Sequence, residues 1–228
     1  MSRWVSLLLL LVVPGCSNLT EGAGGVVELE ISVPAVTSVE VAEQLQLSAH
    51  ALDRDGNPIS APLTWRTTDA TLTVDDTGLI TGVAPGAGQV QAFAGTLASE
   101  RVAITVIARA DTLALVGDSV VVVPPEAAAS APLVVQLQSF SLAGPLPDRP
   151  VVYTVTSPPD LGVPSVTLPG SVLIDTVSTG ATGLNQAITL NRVSGVPSPD
   201  TAIVQVRSYR ASGADVPGSG QRFIVLFQ

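Results

Sequence analysis

The stretch from Trp65 to Phe93 reads WRTTDATLTVDDTGLITGVAPGAGQVQAF, and its punctuation decides the fold. Leu72 and Val74 alternate with Thr71, Thr73 and Asp75, the two-residue period of a strand with one buried face. Asp76-Thr77-Gly78 then supplies turn chemistry, because glycine enters the positive-φ region without a Cβ clash. Leu79-Ile80-Thr81 is a short strand stopped at Gly82, and Pro85-Gly86-Ala87-Gly88 makes the next turn. In the strand after it, Val90 and Ala92 alternate with Gln89, Gln91 and Phe93. Trp65, set between Thr64 and Arg66, is a large inward anchor with polar neighbours facing out. Short strands with a turn about every ten residues predict an all-β sandwich.

Working outward, Leu45-Gln46-Leu47 precedes this stretch, and Val102, Ile104 and Val106 alternate after it. Together with Trp65, Val74-Asp75, the run Gly78-Leu79-Ile80-Thr81-Gly82-Val83 and Pro85-Gly86, these residues resemble the bacterial immunoglobulin-like group 2 domain. The resemblance covers residues 27–108 and implies an immunoglobulin-like β-sandwich. Such domains occur in bacterial surface proteins, adhesins and extracellular enzymes, as spacers or binding modules. The resemblance implies a setting more than an activity.

The chain has 228 residues, enough for one or two domains with adequate cores. Hydrophobic residues make up 46% but aromatics only 4%, so the core is built from Val, Leu, Ile and Ala, and the valines favour strands. Twenty Gly and 18 Pro predict many turns. A net charge of −9 leaves no basic domain to track a phosphate backbone, which argues against a nucleic-acid partner.

Arg3 is a positive n-region, and residues 4–13 are an apolar segment too short to span a bilayer but suited to a signal peptide. It ends in Val13-Pro14-Gly15-Cys16, which resembles the lipobox of bacterial lipoproteins. That resemblance implies a signal peptide over residues 1–15, cleavage before Cys16, lipid attachment at Cys16 and a membrane partner through the acylated N-terminus. Ser17, rather than Asp, after the cysteine implies the outer membrane. Cys16 is the single cysteine and has no internal disulfide partner; the other reading is an ordinary signal sequence with an incidental cysteine. Residues 16–26 then form a polar, Gly-rich tether; its stretch from 17 to 26 reaches at most about 35 Å.

Within the first sandwich, Leu29, Ile31 and Val33 alternate with Glu28, Glu30 and Ser32. Leu45, Leu47, Ala49 and Ala51 alternate with Gln44, Gln46, Ser48 and His50, which puts the only histidine toward solvent. Asp53, Asp55 and Asn57 echo part of a calcium loop, but no bidentate Glu follows, and Asp-Gly-Asn-Pro is also a hairpin turn. The turn is the preferred reading, with no metal assigned. Residues 82–88 are glycine-rich but lack the Lys-Ser/Thr and the helix of a phosphate loop. Asp75 and Asp76 sit beside a turn, where a capping or solvated role explains them. No nucleophile–base set exists, so neither an enzyme nor a cofactor is expected.

Arg109-Ala110-Asp111 leads directly into a second β-rich half, which predicts a restricted orientation between two immunoglobulin-like sandwiches, at residues 27–108 and 111–228. Strands are expected at 113–116, 119–123, 133–140, 151–156, 171–177, 186–190, 202–209 and 222–227. Turn signals lie between them, among them Gly144-Pro145. The longer loops 157–164 and 191–200 are the expected location of any binding surface, with Tyr153, Tyr209, Arg207 and Arg210 as candidates, although packing and ordinary surface are the preferred reading of such residues. The expected function is a non-catalytic, lipid-anchored structural or adhesive module of the bacterial envelope, with a protein or glycan ligand at the cell surface. A glycan-binding accessory module and a calcium-stabilised spacer of a larger assembly are the alternatives.

Overall fold

The computed structural model describes residues 25–142, 144–159 and 162–228, and the chain is all-β: two immunoglobulin-like sandwiches in tandem. In the first sandwich the strand Gly86–Ala94 pairs with Thr64–Thr67 on one side and with Leu97–Ala98 and Val102–Ile107 on the other. Opposite lie Glu28–Ser32, Ser48–Leu52 and Pro58–Ile59, continued by Gln44–Gln46, Leu79–Gly82 and Leu72–Val74. The run from Gln44 to Leu52 changes partners at Leu47: before it pairs with Leu79–Gly82, after it with Glu28–Ser32. The alternation read from the sequence is what buries the core. Ile80, Val90, Ala92 and Ile104 are fully buried, Leu47 and Leu72 nearly so, and Trp65 is 8% exposed among them. Burying a large aliphatic side chain contributes about 1.5–3 kcal/mol, so these positions dominate the stability of this half.

Gly78 shows how tightly the turn and the tryptophan are fitted. Its φ is +83°, and a Cβ there would lie 2.7 Å from the Trp65 ring and 2.8 Å from the Leu47 carbonyl oxygen. The glycine therefore serves both the turn and the close approach of the ring.

A second core, which includes Leu113, Val135, Leu137, Val151, Tyr153, Val204, Val206 and Phe223, fills the other sandwich. One sheet runs Val120–Val123, Arg222–Phe227, Thr201–Arg207, Pro150–Ser157 and Ile174–Ser178; the facing sheet holds Thr112–Val116, Val134–Ser139 and Gly144–Pro145. Both halves use the same device at their opening strand. Glu28–Ser32 joins one sheet, and past Pro34, which has no N–H for a ladder, Ser38–Glu40 crosses to run parallel with Val102–Ile107. Likewise Thr112–Val116 pairs with Val134–Ser139, the chain turns at Gly117 (φ +83°), and Val120–Val123 runs parallel with Arg222–Phe227.

Four sequence expectations are corrected. Gly86-Ala87-Gly88, expected within a turn, instead opens the strand Gly86–Ala94 and pairs with Val106, Thr105 and Ile104. Residues 186–190 make no strand: Ile188 forms an isolated bridge with Leu133, and the short strand is Asn191–Arg192, paired with Val166–Thr167. The reason is Asn185, whose carboxamide accepts from the Val135 N–H at 2.7 Å and donates to the Leu133 carbonyl at 3.2 Å, standing in for ladder bonds. Gly144-Pro145, expected as a turn, pairs with Gln138 and Ser139 as a two-residue strand. The strand expected over 171–177 begins only at Ile174, because Pro169–Ser171 is a 3-10 turn with Gly170 at φ +76° and Ser171 at +62°.

Candidate functional site: a buried polar junction between the sandwiches

The residues singled out from sequence do not converge. Residues 1–15 and Cys16 lie outside the described residues. The Asp53 Oδ1 accepts the N–H groups of Asp55 and Asn57, each at 2.9 Å, while the Asp53 N–H donates to the Asn57 carbonyl. These bonds, with Gly56 at φ +78°, make the hairpin turn and hold the Asp53 carboxyl below its ordinary pKa. Asp75 does the same work at the next hairpin: one oxygen accepts the Thr77 N–H and hydroxyl and the Leu79 N–H, which lowers its pKa. His50 is exposed on its strand. Among the described residues no group of three His, Cys, Asp or Glu side chains comes together to hold a metal ion, and no helix is long and apolar enough to cross a membrane.

The candidate surface of the second half also disperses. Tyr153 is fully buried, its hydroxyl donating to the Leu133 carbonyl at 3.1 Å, and burial pushes its phenol pKa up. Tyr209 is 41% exposed, and Arg207 pairs with Asp215 at 3.0 Å on the surface. The loop at 191–200 is tied down by Arg192, which lies 4.8 Å from the Phe227 ring centroid and donates to the Ala127 carbonyl and the Ser198 hydroxyl.

Arg210 leads elsewhere, into a cluster the sequence reading missed. Glu40 ends the strand Ser38–Glu40 and its side chain is fully buried. The Arg149 guanidinium reaches it from the second sandwich at 2.8 Å. The connecting chain supplies the Ala110 N–H at 3.0 Å, and the hairpin beyond Arg207 supplies the Ala211 N–H at 3.3 Å. Arg210 pairs with Glu43 at 3.4 Å and donates to the Ala110 carbonyl at 3.0 Å, and Arg149 also donates to the Ala108 carbonyl. Two carboxylates from one sandwich thus meet two guanidiniums from the other, across a linker whose Ala110 is buried. Such a cluster adds little net energy over an apolar contact but penalises separation, since either charge left buried alone is strongly unfavourable. The restricted orientation expected from the short linker has this as its physical basis.

No periodicity argument would have found Glu40. It sits between Val39 and Val41, where alternation assigns it to solvent, and Arg149 lies in a Pro-Asp-Arg-Pro loop. Burial arises only when the second sandwich covers that end of the first.

Comparison with known proteins matches residues 29–106 to the family model of the bacterial Ig-like domain (group 2). No curated protein sequence matches the chain. Among solved structures, the Yersinia pseudotuberculosis adhesin InvE is 16% identical, over 91% of this chain and 61% of its own, with a TM-score of 0.42. The chain thus spans about three-fifths of the InvE structure. The fibronectin(III)-like modules of Clostridium thermocellum CbhA are 17% identical over 87% of this chain and 92% of theirs, at a TM-score of 0.42. The D0–D1 domain of intimin is 15% identical over 88% and 98%, at a TM-score of 0.32.

Proposed function

We propose, from the premise that residues 29–106 are a bacterial Ig-like domain of group 2, that the protein is a non-catalytic structural or adhesive module of the bacterial envelope, lipid-anchored through Cys16. The observation that carries the structural part is the buried junction. The Glu40–Arg149 and Glu43–Arg210 pairs, with the backbone donors of Ala110 and Ala211, favour one arrangement of the sandwiches over a flexible string. A spacer that holds its distal half away from an anchor needs that property. The anchoring part is supported by the apolar leader and the Val13-Pro14-Gly15-Cys16 run, and it carries the outer-membrane assignment from Ser17. The non-catalytic part is supported by the fate of the titratable groups: Asp53 and Asp75 are committed to turns, and His50 stands alone on a strand face. The calcium-stabilised spacer has less support, because the bonds from the Asp55 and Asn57 N–H groups to Asp53 already account for the turn without a metal.

Metabolic labelling with a palmitate analogue in a bacterial host tests the anchor. Label on the wild type that is absent from Cys16→Ala is the expected result. Unlabelled wild type free in the medium would overturn the anchor and leave a secreted module.

A further inference from the structure

We propose that the outer face of the sheet formed by Thr64–Thr67, Gly86–Ala94 and Val102–Ile107 is a binding site for a carboxylated polysaccharide, one built of uronic-acid residues. The site stands apart from the junction and does not rest on the lipid anchor.

The alternation that buries Trp65, Val90 and Ala92 sends Arg66, Gln89, Gln91 and Phe93 to the opposite face. Strand register sets Arg66 beside Gln91 and Thr64 beside Phe93. Arg101 immediately precedes Val102, which pairs with Val90, so a second guanidinium flanks the same row from the other side. Arg66, Thr68, Gln89, Gln91, Phe93 and Arg101 line a concavity of about 240 Å³.

In a protein of net charge −9, Arg149, Arg207 and Arg210 all lie against carboxylates. Among the described residues Arg66 and Arg101 make no ion pair, as is also true of Arg192 and Arg222, and on its other side Arg101 borders a concavity lined by Glu28, Glu30 and Glu100. The Arg66 guanidinium lies 4.9 Å from the Phe93 ring centroid, and Arg101 donates to the Gln89 Oε1 at 3.3 Å. The nearby Asp69 carboxylate accepts the Gln89 N–H at 2.7 Å. At physiological ionic strength charges beyond about 8 Å are largely screened, so two exposed guanidiniums can attract an anion despite the acidic whole.

The polar groups between them select the ligand class. Gln91 donates its Nε2 to the Ser99 carbonyl at 2.9 Å, which leaves its Oε1 as an acceptor. Gln89 uses its Oε1 on Arg101 and keeps its Nε2 as a donor. Two guanidiniums for carboxylates, flanking one free acceptor and one free donor for hydroxyls, match a polymer that repeats both groups. An acidic peptide fits less well. It brings no row of hydroxyls, and its usual approach, adding a strand at a sheet edge, would not use the face on which Gln89 and Gln91 stand. A neutral glycan fits less well too, because Arg66 already covers the aromatic ring that would stack on a sugar.

The test is binding of the purified full chain, in detergent, to polygalacturonate, with dextran and poly-L-glutamate as probes of hydroxyls alone and charge alone. The expected result is binding to polygalacturonate, with dextran not bound and poly-L-glutamate at least tenfold weaker. Arg66→Gln with Arg101→Gln should lower affinity at least tenfold, and Gln89→Ala with Gln91→Ala severalfold, while Arg207→Gln leaves it unchanged. Unshifted Trp65 fluorescence establishes that each variant is folded. No binding to polygalacturonate, binding indifferent to the Arg66/Arg101 pair, or equal affinity for poly-L-glutamate overturns the proposal.

Discussion

Replacing Glu40 by alanine removes the centre of the junction and tests whether the two sandwiches unfold as coupled units. The Glu40 side chain is fully buried and takes three donors from beyond its own sandwich: Arg149 at 2.8 Å, the Ala110 N–H at 3.0 Å and the Ala211 N–H at 3.3 Å. Hydrogen bonds to a charged group are worth about 1.5–3 kcal/mol each, but three donors sharing one carboxylate do not add. Removing one partner of a buried pair costs about 3–5 kcal/mol, because the other charge stays desolvated. Arg149 keeps 13% exposure and some access to water, so the lower end, about 3 kcal/mol, is expected. With a urea slope of about 2 kcal/mol/M, the midpoint falls by roughly 1.5 M. Trp65 is the only tryptophan besides Trp4 and lies in the first core, so its fluorescence follows the first sandwich. Amide exchange at Val204 and Val206 follows the second. Arg149→Met completes a double-mutant cycle, with an expected coupling energy of about 1–3 kcal/mol. A Glu40→Ala midpoint within about 0.2 M of wild type, or strictly additive single effects, would refute the coupling.

Gly78→Ala forces a Cβ to 2.7 Å from the Trp65 ring at a backbone φ of +83°, and should destabilise the first sandwich by about 2–4 kcal/mol in urea melts. Tyr153→Phe should cost only about 0.5–1 kcal/mol by thermal denaturation, because the Leu133 carbonyl keeps its bond from Asn185 Nδ2. Asp75 has a folded pKa below its ordinary 3.8, so its stabilisation is present above that value and is lost as pH falls through the folded pKa. Asp75→Asn should therefore melt lower than wild type at pH 6, with the gap closing in strong acid; a pH-independent gap would contradict the capping role.

Much of the first sandwich was legible because its signals are local. Trp65, Leu72, Val90 and Ile104 are buried as their alternation predicts, and the Asp75–Gly78 turn follows from residue type. The second half was legible where strands alternate, as at Pro150–Ser157 and Thr201–Arg207, whose inward positions include Val151, Ala202, Val204 and Val206. It failed at 186–190, where a side chain, Asn185, carries bonds that a strand would otherwise make. Tyr153 and Arg210 were weighed as surface because type alone does not distinguish a buried phenol or a junction guanidinium from exposed ones. The basic sheet face follows from the alternation in the opening stretch. Arg101 joins it only through the pairing of Val102 with Val90, a contact between distant residues.

The split opening strands have a mechanical side. In each sandwich the second part of the first strand runs parallel to the last, as Ser38–Glu40 does beside Val102–Ile107 and Val120–Val123 beside Arg222–Phe227. Parallel neighbours enter and leave at opposite poles, so tension between the ends of a sandwich slides them along each other and loads their bonds together. Hairpin neighbours under the same pull would open like a zipper, one bond at a time. Three paired positions share the load in the first sandwich and four in the second, so the half nearer the N-terminus is the weaker fuse. Under shear it would yield first and lengthen, while the C-terminal half kept its shape.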